Sequence, residues 1–474
     1  MRSKKNLVCC GLGILLLWTA TVPAGVAAAG PDATMETLNR IEVLDLNTAA
    51  VIALAGNPSL AAARARVMQA AEVVRQAQAP YWPRLDTSAS AARVDLSDRS
   101  LEERFGFIPG FTTDGIDNPE NYYNVDLTAS WLIFNGFARR FALAAARYGE
   151  KAFSAAHFEA QRLLLSAVTF AYLQAQLAQE NIAIAKADEA FNQRLLEEAR
   201  LRYNVGTGAL SDVLNFQIRG NSAKSRLIQE ERTFQNNLIS LAALMGVPKA
   251  GFPDRLRLAE LAPTHPQELT EPQPAELVQT ALFLRPDLQQ SEWFVNQAQA
   301  GVQRAYAGYY PSISFSATYE GERRNDIGFE GGDFGSTVGI GLNWNLFAGG
   351  LTRAQVGEAK ARLIELERVR DNTAIDVASE VKQVAIQIGA AQQQLLLQET
   401  NTGLVQQQRD LVEKEYKAGV GSLVRLNEAQ RDLTVSLAQL ALARVALRLA
   451  WYDLQTATGQ IRDTFKQPGS TTSD

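Results

Sequence analysis

Few side chains in this chain of 474 residues could perform catalysis or hold a metal ion. The two histidines, His157 and His265, are far apart in the sequence, and the two cysteines, Cys9 and Cys10, lie within the first ten residues. A zinc or copper site needs several imidazole or thiolate ligands in one place, and a catalytic triad needs a histidine in a nucleophile context. The sequence therefore predicts a protein that is not an enzyme and that holds no cofactor and no metal ion.

A glycine-rich stretch, NVGTGALSDV at 204–213, superficially matches a phosphate-binding loop. It lacks the third glycine of that motif and follows a helical pattern instead of a strand, so it does not predict nucleotide binding. A wider stretch, RYNVGTGALSDVLNFQ at 202–217, matches EYKAGVGSLVRLNEAQ at 415–430, 213 positions later. Glycine permits the positive φ angles of a tight helix reversal, so both stretches are predicted to be turns between long helices.

The first 29 residues have the features of a secretory signal peptide. Arg2, Lys4 and Lys5 precede an apolar run of 16 residues at 7–22, and small residues follow it. A spanning helix needs roughly 20 residues, and we find no apolar run of that length after residue 30. Cleavage removes both cysteines and changes the formal net charge from −5 to −5 − 3 = −8. The mature chain is then mildly acidic, without a basic patch for nucleic acid.

The mature chain consists of two copies of one repeating unit. LTASWLIFNGFARR at 127–140 matches IGLNWNLFAGGLTR at 340–353, again 213 positions later. Six prolines between the two units cannot continue a helix and predict an ordered connector or small irregular layer. The predicted parts are a signal peptide at 1–29, a first repeat at 30–246, a proline-rich linker at 247–275, a second repeat at 276–460 and a disordered tail at 461–474.

Each unit is predicted to contain a helix, two strands, a very long helix and a returning helix. The helices of the first unit are placed at 46–79, 138–203 and 210–245, and those of the second at 277–307, 351–416 and 422–459. The two shorter helices together are about as long as the long one, so stacked end to end they could lie antiparallel along it. The long helix spans about 100 Å at 1.5 Å per residue.

An apolar stripe with alternating spacings of four and three residues marks both long helices as coiled-coil partners. In the first unit the stripe is Leu164, Val168, Ala171, Ala175, Ala178, Ile182 and Ala185, and in the second it is Val377, Val381, Val384, Ile388, Ala391 and Leu395. By themselves the stripes are equally compatible with a soluble periplasmic coiled-coil binding or scaffold protein.

The strands favour a membrane protein. Residues 125–134 and 337–346 alternate strictly between apolar and polar side chains, which is typical of a strand with lipid on one side and water on the other. The residues predicted to face lipid include Leu127, Trp131, Ile133, Ile340, Leu342 and Trp344. Two hairpins give four strands, and the smallest natural membrane barrels use about eight. Three copies would give a barrel of twelve strands with a lumen suited to solutes.

With its signal peptide, duplicated unit, strand ends WLIFNGF at 131 and WNLFAGG at 344, and Tyr-x-x-Gly-x-Gly turns, the chain resembles the TolC family of outer-membrane efflux proteins. The resemblance covers about residues 40–460. It implies a mainly α protein with a small β part, in which three copies form a twelve-stranded membrane β-barrel on an α-helical barrel. It also implies a passive exit duct in the outer membrane that reaches across the periplasm. The implied partners are a periplasmic adaptor, an inner-membrane pump of the RND or ABC type, and outer-membrane lipid.

The same resemblance implies roles for the two glycine turns. The turns would be the periplasmic tips that contact the adaptor, with the residues Gly206, Thr207, Gly208, Gly419, Val420 and Gly421. The residues nearby would narrow the pore, and they are Tyr203, Asp212, Tyr416, Arg425 and Glu428. The second copy departs from the family where it carries Arg425 in place of a frequent acidic residue and Gly421 in place of the arginine of some members. This leaves an Asp212–Arg425 pair as a hypothesis beside two solvated charges, and the cargo, whether drug, metal ion or polypeptide, stays open.

Overall fold

The computed structural model describes residues 38–97, 99–100, 119–253 and 255–465, together with residues 35, 103 and 107. The predicted signal peptide lies outside the described residues and stays a prediction. Nine helices and six strands are described below. The helices are α1 (Leu46–Gly56), α2 (Pro58–Gln78), α3 (Ala138–Asn204), α4 (Leu210–Leu244), α5 (Pro274–Leu284), α6 (Pro286–Tyr306), α7 (Leu351–Lys417), α8 (Leu423–Ala457) and α9 (Ile461–Thr464). The strands are β1 (Val43–Leu44), β2 (Arg84–Val94), β3 (Glu120–Asn135), β4 (Arg257–Leu258), β5 (Ser312–Arg324) and β6 (Phe334–Asn343).

The first helix of each repeat is two helices, so the predictions of single helices at 46–79 and 277–307 are wrong. In the first repeat α1 and α2 meet at Asn57 with a bend of 47°. In the second repeat α5 and α6 meet at Arg285, and both α2 and α6 begin with a proline. A proline disfavours helical backbone in the residue before it and is well tolerated in the first turn of a new helix, which explains both breaks.

The breaks allow the short helices to stack end to end. Asn57 accepts hydrogen bonds from the backbone N–H groups of Ser59 and Leu60, and its amide donates to the carbonyl of Leu244 at 2.7 Å. This contact joins the start of α2 to the end of α4. In the second repeat Arg285 donates to the carbonyl of Ala457 at 3.1 Å, which joins α6 to α8.

The stacked helices run antiparallel to the long helices α3 and α7, as the matching lengths predicted. The long helix α3 packs against α2 and α4 on one side and against α6 and α8 on the other, and α7 packs against α6 and α8. The predicted apolar stripes lie inside these contacts. Nine of their thirteen members are buried, and Leu164, Ile182, Val384 and Ala391 are partly buried.

A second layer covers the middle of the helices. The strand β4 of the proline-rich linker pairs in parallel with β1, and together with α1 it packs on α3. The Tyr172 hydroxyl donates to the carbonyl of Leu44 at 3.0 Å, and the Gln176 amide donates to the carbonyl of Ala259 at 2.8 Å. We call β1, α1, the linker 247–275, α5 and α9 the equatorial layer.

The tail does not become disordered at residue 461 as predicted. Residues Ile461–Thr464 form α9, and Ile461 and Phe465 are buried against Ala50 and Leu165 because both side chains are apolar and the end of α8 leaves them beside the core. Residues 466–474 lie outside the described part of the chain.

The four long strands form one antiparallel sheet in the order β2-β3-β5-β6. The prediction that the last strand continues to residue 346 is wrong. Its neighbour β5 begins at Ser312, which pairs with Asn343, so residues beyond Asn343 have none of the described strands beside them. Trp344 therefore follows the strand, and its indole N–H donates to the carbonyl of Tyr309 at 3.2 Å.

One described helix is apolar and long enough to cross a bilayer by composition, contrary to the expectation from the sequence. This helix is α8, with a mean hydropathy of 1.5 over its most apolar 18 residues. Half of that window is buried, and α8 lies between α3 and α7. We therefore assign α8 to the core of the helical region.

Substitutions of two glycines test the stacking of α4 on α2. Gly246 has φ +70°, and a Cβ atom there would lie 2.3 Å from the carbonyl oxygen of Gly56, whereas a Cβ atom on Gly220 in α4 would meet nothing within 4 Å. We expect Gly246→Ala to destabilise the protein by at least about 1–3 kcal/mol. The control Gly220→Ala should stabilise it by about 0.5–1 kcal/mol. Thermal unfolding of the purified protein measures both, and equal melting temperatures of the two variants would contradict this junction.

Candidate functional site

The two glycine turns close the far ends of the long helices with the same geometry. Gly206 and Gly419 both have φ +77°, in the left-handed region that favours glycine. In the first turn the N–H groups of Thr207 and Gly208 both donate to the carbonyl of Arg202, at 2.9 and 3.0 Å. The second turn repeats this pattern on the carbonyl of Glu415, at 3.1 and 3.0 Å.

The second glycine of each turn is required for a different reason. A Cβ atom on Gly208 would lie 2.8 Å from the Cβ of Arg202, and one on Gly421 would lie 2.8 Å from the backbone nitrogen of Tyr416. Neither position has room for a side chain. In each Gly-x-Gly turn, the first glycine adopts the positive φ angle and the second lets the chain pass close to the end of the preceding helix. Both features are those of the predicted helix reversal.

All four helices of the two hairpins meet just above the turns. Phe216 of α4 is fully buried at the centre of this tip cluster. Around it pack Phe191, Leu195 and Ala199 from α3, Val213 from α4, Val412 from α7, and Leu426 and Ala429 from α8. The two hairpins are therefore joined to each other at the tip, across the two repeats.

Polar contacts cross the same boundary between the repeats. The Asn427 amide of α8 donates to the side-chain oxygen of Asn215 in α4 at 3.0 Å. The Gln430 amide donates to the carboxylate of Asp188 in α3 at 2.9 Å. Asn427 and Gln430 are buried, so breaking either bond would leave a buried polar group unsatisfied.

Tyr416 is the one predicted gate residue that lies in this boundary. Its ring packs edge-on against Phe216, with ring centres 6.5 Å apart, and the guanidinium of Arg202 lies 5.5 Å from its centre. Burial, followed by the nearby Asp212 carboxylate, raises the pKa of Tyr416. The side chain is therefore a neutral hydrogen-bonding group at pH 7.

The other predicted gate residues lie on the surface of the tip. Tyr203, Arg425 and Glu428 are exposed, and Asp212 is partly exposed. Arg425 pairs with Glu415 at 3.4 Å, and the single chain does not bring Arg425 and Asp212 together as the hypothesis required. The reason is that Glu415, in the last turn of α7, lies nearer to Arg425, which follows the reversal in the first turn of α8.

Sequence reasoning missed five residues of the tip boundary: Asp188, Arg202, Asn215, Asn427 and Gln430. One signal could have found the region. The apolar stripe of α3 continues seven residues beyond Ala185 to Asn192, which is buried and donates to the carbonyl of Asp188 at 2.8 Å. A polar residue at a stripe position indicates a site where specificity outweighs apolar packing.

The sheet has one apolar face that none of the described residues covers. The predicted lipid-facing residues are all exposed, Leu127, Trp131, Ile133, Ile340, Leu342 and Trp344, and Leu342 keeps 65% of its surface accessible. Trp131 donates from its indole N–H to the carbonyl of Tyr81 at 3.1 Å, in the same way that Trp344 binds Tyr309. Tryptophans anchored at strand ends are typical of a membrane interface.

The opposite face of the sheet is polar. The hydroxyl groups of Thr128 and Thr318 lie 3.1 Å apart on neighbouring strands, and Ser88 donates to the carboxylate of Asp126. Such a face suits water, and one apolar face beside one polar face is the pattern of a membrane strand that borders an aqueous lumen.

Nothing in the described residues builds a metal centre. No group of three or more His, Cys, Asp or Glu side chains lies close enough there to hold an ion. His157 lies 3.2 Å from the Gln161 amide, and His265 begins a short helical turn. Burial, with Arg64 and Arg462, lowers the pKa of His157. Both histidines therefore make local contacts within helical segments.

Comparisons with known proteins agree with this geometry. The family model described as outer membrane efflux protein matches residues 50–247 and 277–460, which are the two repeats. The chain is 27% identical over 410 residues to the pyoverdine export outer membrane protein OpmQ of Pseudomonas aeruginosa, covering 84% of this chain and 82% of that protein. It is 22% identical over 415 residues to the outer membrane protein TolC of Vibrio cholerae, covering 86% and 89%.

Solved structures have the same fold. The Campylobacter jejuni CmeC outer membrane channel matches with a TM-score of 0.74 at 18% identity, covering 88% of this chain and 85% of that one. The open state of the Neisseria gonorrhoeae MtrE outer membrane channel matches with a TM-score of 0.68 at 21% identity, covering 87% and 88%. The chain therefore belongs to the outer membrane efflux protein family and is an outer-membrane channel that reaches into the periplasm, not a soluble periplasmic scaffold.

Proposed function

We propose that three copies of this chain form one continuous passive duct through the outer membrane and the periplasm. The observation that carries this proposal is the sheet of four strands. Among the described strands, β2 and β6 have a neighbour on one side only. In lipid every backbone polar group needs a partner within the protein, so a membrane sheet must close on itself. Three copies close it with twelve strands, a size that leaves an aqueous lumen.

The helical region supports the same assembly. One side edge of the chain is α7, and its surface opposite α8 carries exposed apolar residues at a spacing of eleven and then seven: Ile364, Ile375, Ile386, Leu397, Leu404 and Leu411. The other side edge is formed by α2 and α4, which expose Met68, Val73, Leu214, Ile218, Ile228 and Ile239. Each apolar edge would cover the complementary edge of the next copy, which is how a closed ring buries both.

The duct itself supplies no energy in this proposal. A periplasmic adaptor and an inner-membrane pump of the RND or ABC type would drive transport, and the adaptor would contact the tips at 206–208 and 419–421. The tips expose apolar side chains in water, with Val420 at 81% and Val205 at 74%. Exposed apolar groups of this kind mark binding surfaces.

The tip boundary supports a gate. Because the hairpins α3/α4 and α7/α8 are joined there by Asn215–Asn427 and Asp188–Gln430, the tip can widen only if those bonds break. Each bond contributes about 1 kcal/mol net in each copy. We place the constriction at these residues and Tyr416, while Tyr203, Asp212, Arg425 and Glu428 remain proposed pore residues whose partners would come from a neighbouring copy.

The apolar edge of α7 gives a test of the trimer. Ile375→Glu with Ile386→Glu places two charges where a neighbouring copy would bury them, at a cost on the order of several kcal/mol per charge. We expect this variant to elute as a monomer in detergent, while Gln387→Glu, which changes an exposed position of the same helix, stays trimeric. Light scattering coupled to gel filtration measures the mass. A trimeric double variant would contradict the assignment of this edge.

The gate is tested by single-channel conductance of the reconstituted protein. We expect Asn427→Ala with Gln430→Ala to raise the fraction of time spent open, because two cross-repeat bonds are lost in each copy. Arg431→Ala, at an exposed position of the same helix outside the proposed pore residues, is the control. An unchanged open fraction in the double variant, with a raised one in Asp212→Ala or Arg425→Ala, would move the gate to the pair predicted from the sequence.

A further inference from the structure

A second apolar stripe lies on α3, outside the helix contacts described so far. It consists of Leu163, Phe170, Leu177 and Ile184, which recur every seven residues. Leu163 and Phe170 keep 52% and 51% of their surface exposed, although α3 packs against α2, α4, α6 and α8. The stripe forms the floor of a groove whose walls are α4 and α8.

The direction of this stripe follows from the position of the equatorial layer. Tyr172 and Gln176 contact that layer, and Phe170 is about 200° around the helix from Tyr172. Twelve helices at 8–10 Å spacing enclose an interior of roughly 25 Å, too narrow for three equatorial layers. The layer therefore lies outside the tube and the stripe faces the lumen. Since α3 lies between α4 and α8, no neighbouring copy covers it.

The upper part of the groove contains an unpaired carboxylate. It is a cleft of about 490 Å³, and its lining includes Leu163, Phe170, Asn237, Ser240, Leu244 and Asp453. Asp453 of α8 is partly buried, and within the described part of the chain its carboxylate has no hydrogen bond and no cation partner. On the opposite side of α8, Arg448 and Trp451 bind Glu268 of the equatorial layer, so Asp453 lies on the face of α8 that is turned away from that layer.

A partly buried carboxylate without a partner has lost part of its hydration, and this desolvation costs free energy. Its natural complement is a cation, and the surrounding Leu163, Phe170 and Leu244 side chains suit an apolar body. We propose that this cleft is a lumenal binding site for amphiphilic organic cations, with the charge at Asp453 and the apolar part on Leu163 and Phe170. The proposal rests on the trimeric duct, because only the closed tube makes the groove lumenal, and it names the class of cargo that the wall retains.

The proposed site has a defined pH dependence. Burial, followed by the charge of Glu380 on α7, raises the pKa of Asp453. The groups that face it from α3 and α4 are uncharged, namely Leu163, Phe170, Asn237 and Ser240. As the pH falls through this raised pKa, the carboxylate becomes neutral and cation binding weakens. A raised carboxyl pKa also means that the folded protein loses stability as the pH rises, so Asp453→Asn should not lower the melting temperature at pH 7.

Equilibrium dialysis of the detergent-solubilised protein against tetraphenylphosphonium and tetraphenylborate tests the site, because the two ions have the same shape and opposite charge. We expect the wild type to prefer the cation and Asp453→Asn to lose cation affinity at least about tenfold. Phe170→Ala should weaken both ions. Asp432→Asn is the matched control, since Asp432 lies on the same helix about 32 Å away and pairs with Arg431.

Equal binding of the two ions by the wild type, or an unchanged preference in Asp453→Asn, would overturn the proposal. Loss of the preference in Asp432→Asn would also overturn it, because the effect would then come from general lumenal charge. Conductance in planar bilayers is measured separately on the same preparations. If the protein conducts ions but shows no preference for the cation, the proposed binding site is refuted and the duct is not. If it shows the preference but never conducts, the proposed duct is refuted.

Discussion

The whole structure depends on the backbone hydrogen bonds of a sheet that is too small to close. A strand in lipid cannot leave its N–H and C=O groups to water, and the described part of this chain has four long strands with two open edges. The apolar face of the sheet, which includes Trp131, Ile340 and Leu342, fixes it in the membrane. In the proposed trimer the sheet is completed by other copies, and this fixes the arrangement of the helices below it as well. The exposed apolar edges of α7 and of α2 with α4 would then lie where neighbouring copies meet.

The duplication determines how the long helices are covered. Two long helices are each accompanied by two shorter ones, and the side chains of Asn57 and Arg285 hold the end of one short helix against the start of the next. The repeats reach the same junction with different chemistry, since one uses an amide and the other a guanidinium. Where the two repeats meet at the tip, the contacts join positions that are not equivalent in the duplication, such as Asp188 with Gln430, so the tip is asymmetric within each chain.

Much of this fold could be predicted from the sequence, because it follows from local periodicity. Spacings of four and three residues predicted the contacts between helices. Period-two alternation predicted the strands, and the Gly-x-Gly stretches predicted the helix reversals. The breaks before Pro58 and Pro286 were missed because long helical periodicity on both sides concealed them. The tip contacts could not be predicted, since partners such as Asn215 and Asn427 are 212 residues apart and their meeting depends on the rotation of each helix. Asp453 was missed because nothing in the sequence distinguishes an unpaired carboxylate from a solvated one.

Hydrogen–deuterium exchange of the edge strands in the purified assembly tests the central claim most directly. If three copies complete one barrel, the amides of β2 and β6 that point away from their neighbours within the chain are hydrogen-bonded across copies. They should then exchange as slowly as those of the inner strands β3 and β5. Edge amides that exchange as fast as the glycine turns at 206–208 and 419–421, in a preparation whose inner strands are protected, would show that the sheet stays open and would contradict the account.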